Sequence, residues 1–357
     1  MAFRSFLIKN GRLWTGTEFR TGNVLIQKDT VVSLDAPDDT VAEYVYDAAG
    51  RIVSTGLLDI HTHLYNVSTP IFGFPTELVC APFGVTATVD GGAELSDKAY
   101  LDTMMVKARV FAITDIKEEG MDFTRTEKML AAYGDAAIGI KMYYDARGNK
   151  FTTLKHLEEV CAFARARGVK VMVHCNHSPT AMLDIIKTLS AGDILTHIYH
   201  GDENPITADE YAAYKLAKEK GVILDTGNAG RVHTNFSVLR DAISKGYLPD
   251  TISSDLTCGS AFNRGGRYGL TLCMSMHRTA GMTEEQILRA VTSDAAKAVG
   301  MDAECGVLEV GRKADIAVLG YENDPYRFED TDGNVLEDEN GYVCHLTVSK
   351  GQILYRR

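Results

Sequence analysis

Apolar and polar positions change their period twice along this chain. From Phe6 to Leu34 the apolar residues come in short runs broken by turn residues: Phe6–Trp14, Gly22–Asp29 and Thr30–Leu34. Such runs predict β-strands, and no helical period interrupts them. Short strands return near the other end, at 314–319 and 343–355. The two ends are expected to pair into one small sheet, because two or three strands alone seldom sustain themselves. Between them, apolar runs at 56–61, 84–90, 109–114, 137–142, 169–174, 193–197, 222–225 and 251–255 alternate with helical stretches. Leu154–Arg167 places Leu154, Leu157, Val160, Cys161 and Ala164 on one helical face. Thr180–Leu189, Ala208–Lys220, Phe236–Lys245 and Thr283–Val299 are the other clear helices.

Eight strands alternating with helices predict a parallel sheet closed into a (β/α)8 TIM barrel, an α/β fold. A doubly wound open sheet is the competing layout, but the Gly-x-Gly-x-x-Gly fingerprint such sheets often carry is absent. The expected division is 1–52 and 306–357 as the two halves of a small β-sandwich domain, with 53–305 as the barrel. The acidic stretch Glu322–Asn340 resembles a calcium loop around Asp330-Thr331-Asp332-Gly333-Asn334. It lacks the twelve-residue ligand pattern and flanking helices, so a solvated loop is expected.

In a closed barrel the C-terminal ends of all strands meet at one mouth. The residues there are His61 and His63, which end the first-strand run Gly56-Leu57-Leu58-Asp59-Ile60-His61-Thr62-His63, and Lys141 directly after the fourth. His174 ends the fifth, His197 the sixth and Asp255 the eighth. Side chains alternate along a strand, so His61 and His63 face the same way. Singly, each has an ordinary reading: a polar strand-end histidine, a snorkelling lysine, a helix-capping aspartate. Together, at one end of successive strands, they predict a metal site. Imidazole and carboxylate donors suit Zn2+, with Mn2+ and Fe2+ as alternatives. A desolvated lysine loses its proton readily, and its amine can then take up CO2 to form an anionic carbamate.

His61-x-His63, Lys141, His174, His197 and Asp255, in that order, resemble the ligand set of the amidohydrolase superfamily, in its binuclear, carbamylated-lysine form. Gly306–Leu319 resembles the segment by which that family's chain returns to its small β-domain. Leu248–Asp255 and Asp193–His197 look most like the deacetylase-like branch related to dihydroorotase. The resemblance implies two divalent ions: one on His61, His63 and Asp255, the other on His174 and His197, with the carbamate of Lys141 bridging. It implies hydrolysis of an amide or ester in a small N- or O-acylated carboxylate, by attack of a metal-bridging hydroxide with Asp255 as catalytic proton acceptor. Ring opening of a cyclic amide, as by a dihydroorotase or hydantoinase, is the alternative, and a non-catalytic scaffold a remote one. Three positions depart from the family pattern. Met142-Tyr143-Tyr144 stand where a basic residue is usual, Asn228 follows Asp225-Thr226-Gly227 in place of histidine, and Leu256-Thr257 follow Asp255.

Candidate substrate contacts on loops facing the mouth are Tyr143, Tyr144, Asn176, Asn228, Arg231, Arg264 and Arg267. An arginine among them could grip a carboxylate with two hydrogen bonds. His177 and His200, each three residues past a ligand, are expected to support the ligands from behind.

Composition narrows the class further. With 45% hydrophobic and 24% charged residues, the 357-residue chain can bury a large core. A net charge of −11 gives no support to binding of nucleic acid or an anionic membrane. Seven scattered cysteines, never in a Cys-x-x-Cys pair, predict reduced thiols in the cytoplasm. The N-terminus lacks the pattern of a signal peptide. The expected partners are a small-molecule substrate and further copies of the chain.

Overall fold

A computed structural model describes residues 3–64, 73, 75–92, 98–229, 232–262 and 268–357. Seven parallel strands form the central sheet. In chain order they are Leu57–Thr62, Val85–Asp90, Lys107–Ile113, Ala137–Tyr143, Lys170–His174, Ile194–Thr196 and Ile223–Asp225, each paired to the next. The eighth position is filled by residues 251–256. Thr251 bridges Asp225 of the seventh strand, Leu256 bridges Thr62 of the first, and both bridges are parallel. The Asp255 N–H donates to the His61 carbonyl at 2.7 Å, which fastens the last strand to the first and closes the barrel. The first strand is buried along its whole length, as expected of a strand covered on both faces.

The helices follow the predicted periods closely. Leu154–Arg167 ends at Gly168, whose φ of +66° is the left-handed conformation favoured at a helix C-terminus. Thr180–Leu189 shortens to Met182–Thr188. The single helix expected over Thr283–Val299 is two, Glu284–Ala290 and Ser293–Val299. The break falls at Thr292, which leaves helical geometry while its hydroxyl donates to the Leu288 carbonyl and accepts from the Trp14 indole N–H. A buried tryptophan from the N-terminal sheet thus takes the polar partner that a continuous helix would hide.

Both chain ends build one eight-stranded sheet. Ser5–Trp14 pairs antiparallel with Phe19–Gln27 and, on its other edge, parallel with Tyr44–Asp47 and then Ile52–Thr55. Ile316–Glu329 joins Ile52–Thr55, followed by Val335–Ser349 and Gln352–Arg356. Its inner face shares one apolar cluster, including Phe6, Ile8, Leu13, Val24, Ile316, Val318 and Leu346. The solvated loop expected over Glu322–Asn340 is instead a long hairpin, turning at Asp330–Asn334. Its acidic residues hide an alternation in which Tyr326, Phe328 and Leu336 are buried against the barrel core.

Candidate metal centre

The strand ends meet at the barrel mouth as the sequence predicts. His61, His63, Lys141, His174, His197 and Asp255 are all buried there. His61 Nε2 lies 2.8 Å from Lys141 Nζ and 3.3 Å from Asp255 Oδ1, and His63 Nε2 lies 2.9 Å from the same carboxylate oxygen. The His61 and His197 ring centres are 5.2 Å apart, and those of His174 and His197 are 4.4 Å apart. Space for this crowding comes from glycines after the second strand. A Cβ at Gly91 would stand 2.2 Å from His61 Cδ2, and one at Gly92 would stand 2.7 Å from Lys141 Cβ. Two of the six also hold uncommon backbone angles: φ is +69° at His197 and +46° at Asp255. Such left-handed residues cost roughly 1–2 kcal/mol each and persist where the surroundings enforce them.

Hydrogen bonds decide which nitrogen each imidazole presents. His197 Nδ1 donates to the Gly227 carbonyl at 2.7 Å, which leaves Nε2 as the lone-pair nitrogen. Thr196 donates its hydroxyl hydrogen to Asp225 Oδ2 at 2.7 Å, so its oxygen accepts from His61 Nδ1–H at 3.1 Å. His61 therefore also turns Nε2 toward the centre. Asp225 is held in turn by the hydroxyls of Thr251 and Ser253. Beneath the pair, Asp59 Oδ1 accepts from the Ser254 N–H at 3.1 Å and the His61 N–H at 3.3 Å, tying the first strand to the eighth.

Burial sets the charge states. It draws His61 down to about 4, with the Lys141 charge adding to the effect. Burial also draws His174 and His197 well below the ordinary value, with His233 next in effect. All three imidazoles are neutral at pH 7, the form that binds metal. Burial lowers Lys141 to about 8, partly opposed by Asp255 and Asp225. For Asp255, burial pushes upward, but the His61 charge and the His63 hydrogen bond outweigh it and hold the carboxyl well below its usual range.

This donor set fits divalent ions. One ligand atom each from His61, His197 and Asp255 falls within 4.8 Å of the others, and the same is true of His174, His197 and His233. His174 Nε2 and His197 Nε2 are buried with no hydrogen-bond partner among the described residues. A buried lone pair in that condition is costly unless a ligand takes it.

His233 is the member that sequence reasoning misses. It lies on the loop after the seventh strand, six residues beyond Gly227 rather than directly after it, and no apolar run leads into it. Its ring centre is 4.3 Å from that of His197 and 5.1 Å from that of His174, and its Nε2 is 3.7 Å from Asp255 Oδ2. The usable signal was topological, since every loop leaving a strand's C-terminal end borders the mouth.

The other expected residues divide. Tyr143 borders the centre, with its ring 5.4 Å from Lys141 Nζ and 5.8 Å from the His174 ring. Tyr144 points into the core, where its hydroxyl meets Thr180 at 3.0 Å. The Asn228 side chain bonds to Thr226, Ser253 and Thr234, which occupies both its donor and acceptor. Asn176 donates to Asp202 at 3.1 Å, while its Oδ1 is buried with no hydrogen-bond partner among the described residues. His200 Nδ1 accepts from the Asp202 N–H, and its Nε2 is likewise buried and unpartnered among the described residues. His177 lies against Asp202 and Arg147. Arg231, Arg264 and Arg267 lie outside the described residues. All seven cysteines are free thiols, and no helix among the described residues is long and apolar enough to cross a membrane.

Comparison with known proteins places the chain in a family. A family model described as the amidohydrolase family matches residues 52–354. A deacetylase of Enterococcus faecalis is 26% identical over 352 residues, spanning 92% of each chain. A deacetylase of Agrobacterium fabrum is 29% identical over 329 residues, covering 85% of this chain and 78% of its own. Among solved structures, a dihydroorotase superposes with a TM-score of 0.86 at 22% identity, over 98% of this chain and 99% of its own. A D-hydantoinase from Thermus sp. gives 0.70 at 14% identity, over 98% and 95%.

Proposed function

Because the chain belongs to the amidohydrolase family and is a metal-dependent hydrolase, we propose that it removes an acyl group from the nitrogen or oxygen of a small carboxylate. Relatives named as deacetylases support this reading, since they match over most of this chain at 26% and 29% identity. The observation that carries it is the convergence of buried, neutral imidazole nitrogens on one carboxylate and one lysine.

In this reading His61, His63 and Asp255 would hold one divalent ion and His174 and His197 a second, with the Lys141 carbamate as a further anionic ligand. In its neutral form the Lys141 amine would add CO2, forming an N–C bond and releasing one proton, so the neutral amine would become an anionic carbamate able to neutralise bound cations. When bound, the ions acidify a water and polarise the substrate carbonyl. Thr196 and Asp225 keep the His61 ring turned to the centre, and Gly227 does the same for His197. Asp255 takes the proton from the attacking water. As the carbon–nitrogen or carbon–oxygen bond breaks, the same carboxyl gives that proton to the departing amine or alkoxide. Tyr143 flanks the carbonyl, and Arg231, Arg264 and Arg267 are assigned the substrate carboxylate. Zn2+ suits the nitrogen-rich donor set, and the free thiols point to a reducing compartment.

The test is a panel of N-acyl amino acids, O-acyl hydroxy acids, dihydroorotate and hydantoins, assayed with Zn2+, Mn2+ or Fe2+. Acyl substrates should turn over and lose activity on chelation. Turnover of the cyclic amides alone would replace the proposal with ring opening.

A further inference from the structure

The loop after the seventh strand carries one more nitrogen donor to the mouth, and its neighbours hold it firmly. Thr234 donates to Asn228 Oδ1 at 3.1 Å, and the Asn235 N–H donates to the Tyr199 carbonyl at 2.8 Å. The Asn235 side chain caps the helix Phe236–Ser244, accepting from the N–H groups of Ser237 and Val238. Its amide also donates to Asp332 Oδ2 at 2.6 Å, and the Phe236 N–H donates to Asp330 Oδ2 at 2.7 Å. Asp330 and Asp332 form the turn of the long hairpin from the terminal sheet. The residues directly after His233 are therefore clamped between the barrel and that turn.

We propose that His233 is a third imidazole ligand to the ion held by His174 and His197, and that the hairpin turn at Asp330–Asp332 holds it in place. The proposal rests on the two-metal reading above. Three observations favour it over a histidine merely bordering the pocket. The ligand atoms of His174, His197 and His233 fit one ion-sized cluster. His174 and His197 each leave Nε2 buried and without a hydrogen-bond partner among the described residues. The clamp fixes the residues directly after the third ring, so little ordering entropy opposes ligation. A site of three imidazoles prefers Zn2+ over the harder Mn2+. The hairpin expected from sequence to be a solvated loop becomes a support of the metal centre.

Metal binding tests this directly. Metal-free wild type, His233→Ala, His233→Gln and Asp332→Ala are titrated with Co2+ while the visible spectrum is followed, and with Zn2+ against a competing chelator. Wild type should take two equivalents. Both His233 variants should keep the first and bind the second at least 10-fold more weakly, the scale expected when support of a metal site is lost. Their cobalt band for the second equivalent should shift. Asp332→Ala should weaken the second equivalent by less, with its band unmoved. Wild-type affinity and spectrum for the second ion in both His233 variants would overturn the proposal while leaving the two-metal reading intact. A wild type that takes up no second ion would overturn both. Circular dichroism and thermal unfolding of each variant confirm that the fold is retained.

Discussion

Gly91→Ala adds one methyl group where the barrel has no room for it. Its Cβ would meet His61 Cδ2 at 2.2 Å and Nε2 at 2.6 Å, against 3.4–4 Å for ordinary contact. The imidazole would have to retreat by on the order of 1 Å in an interior packed as densely as a crystal. It cannot tilt freely, because Thr196 holds Nδ1 at 3.1 Å while Lys141 and Asp255 flank Nε2 at 2.8 and 3.3 Å. Overpacking of this kind costs about 1–3 kcal/mol of stability. Displacing a group that positions the reaction by about 1 Å costs roughly 100-fold in rate. The expected Ala variant is folded, less stable and depleted in the ion that His61 helps hold, with kcat/KM lowered by about that factor. Circular dichroism, thermal unfolding, metal analysis and steady-state kinetics read these four quantities. Gly148→Ala is the control, since its nearest neighbour would be Asp145 Oδ2 at 3.4 Å. A Gly91→Ala enzyme with wild-type metal content and kcat/KM would refute the placement of His61 at the centre.

Other consequences can be checked separately. Thr196→Val keeps the shape but removes the hydroxyl linking His61 to Asp225. Two buried polar groups lose a partner, so denaturant unfolding should report a loss of about 1–3 kcal/mol, together with weaker metal binding. Asp255→Asn suits the positive φ of that position. It should fold and keep much of its metal while turnover falls by two or more orders of magnitude, a loss read in the acyl-hydrolysis assay. The metal-free protein should weaken in acid. Burial lowers His61, His200 and His277 to about 4, so between that value and the ordinary 6.5 the unfolded chain binds protons that the folded one refuses. The stability they contribute is complete above pH 6.5 and is lost as the pH falls toward 4. Urea midpoints measured at pH 7 and pH 5 should show the drop, and equal midpoints would contradict it.

Much of the barrel is legible because a strand buried on both faces writes itself as an unbroken apolar run. A candidate ligand at its end then stands out against the run, as with Lys141 after 138–140 and His174 after 171–173, whereas His197 follows Thr196. Parity along the fourth strand also separates Tyr143 from Tyr144. Tyr143 shares the face of Lys141 and borders the centre, whereas Tyr144 alternates into the core. The eighth strand read as 251–255 survives only as two bridges, since the positive φ of Asp255 turns the backbone as it delivers the carboxylate. What sequence hides are contacts made at long range. Thr292 breaks a helical period because Trp14, 278 positions away, needs its hydroxyl. The acidic hairpin conceals its buried side under alternating carboxylates, and its turn reaches Asn235 across 97 positions. His233 belongs to that same long-range arrangement, so no local pattern announces it.

Anomalous diffraction from zinc-grown crystals, recorded on both sides of the Zn absorption edge, tests the central claim most directly. Two peaks at the barrel mouth are expected. One should lie against His61, His63 and Asp255, the other against His174 and His197, with Lys141 density extended by a carbamate between them. A mouth without anomalous density, or zinc bound only elsewhere on the chain, would contradict the account.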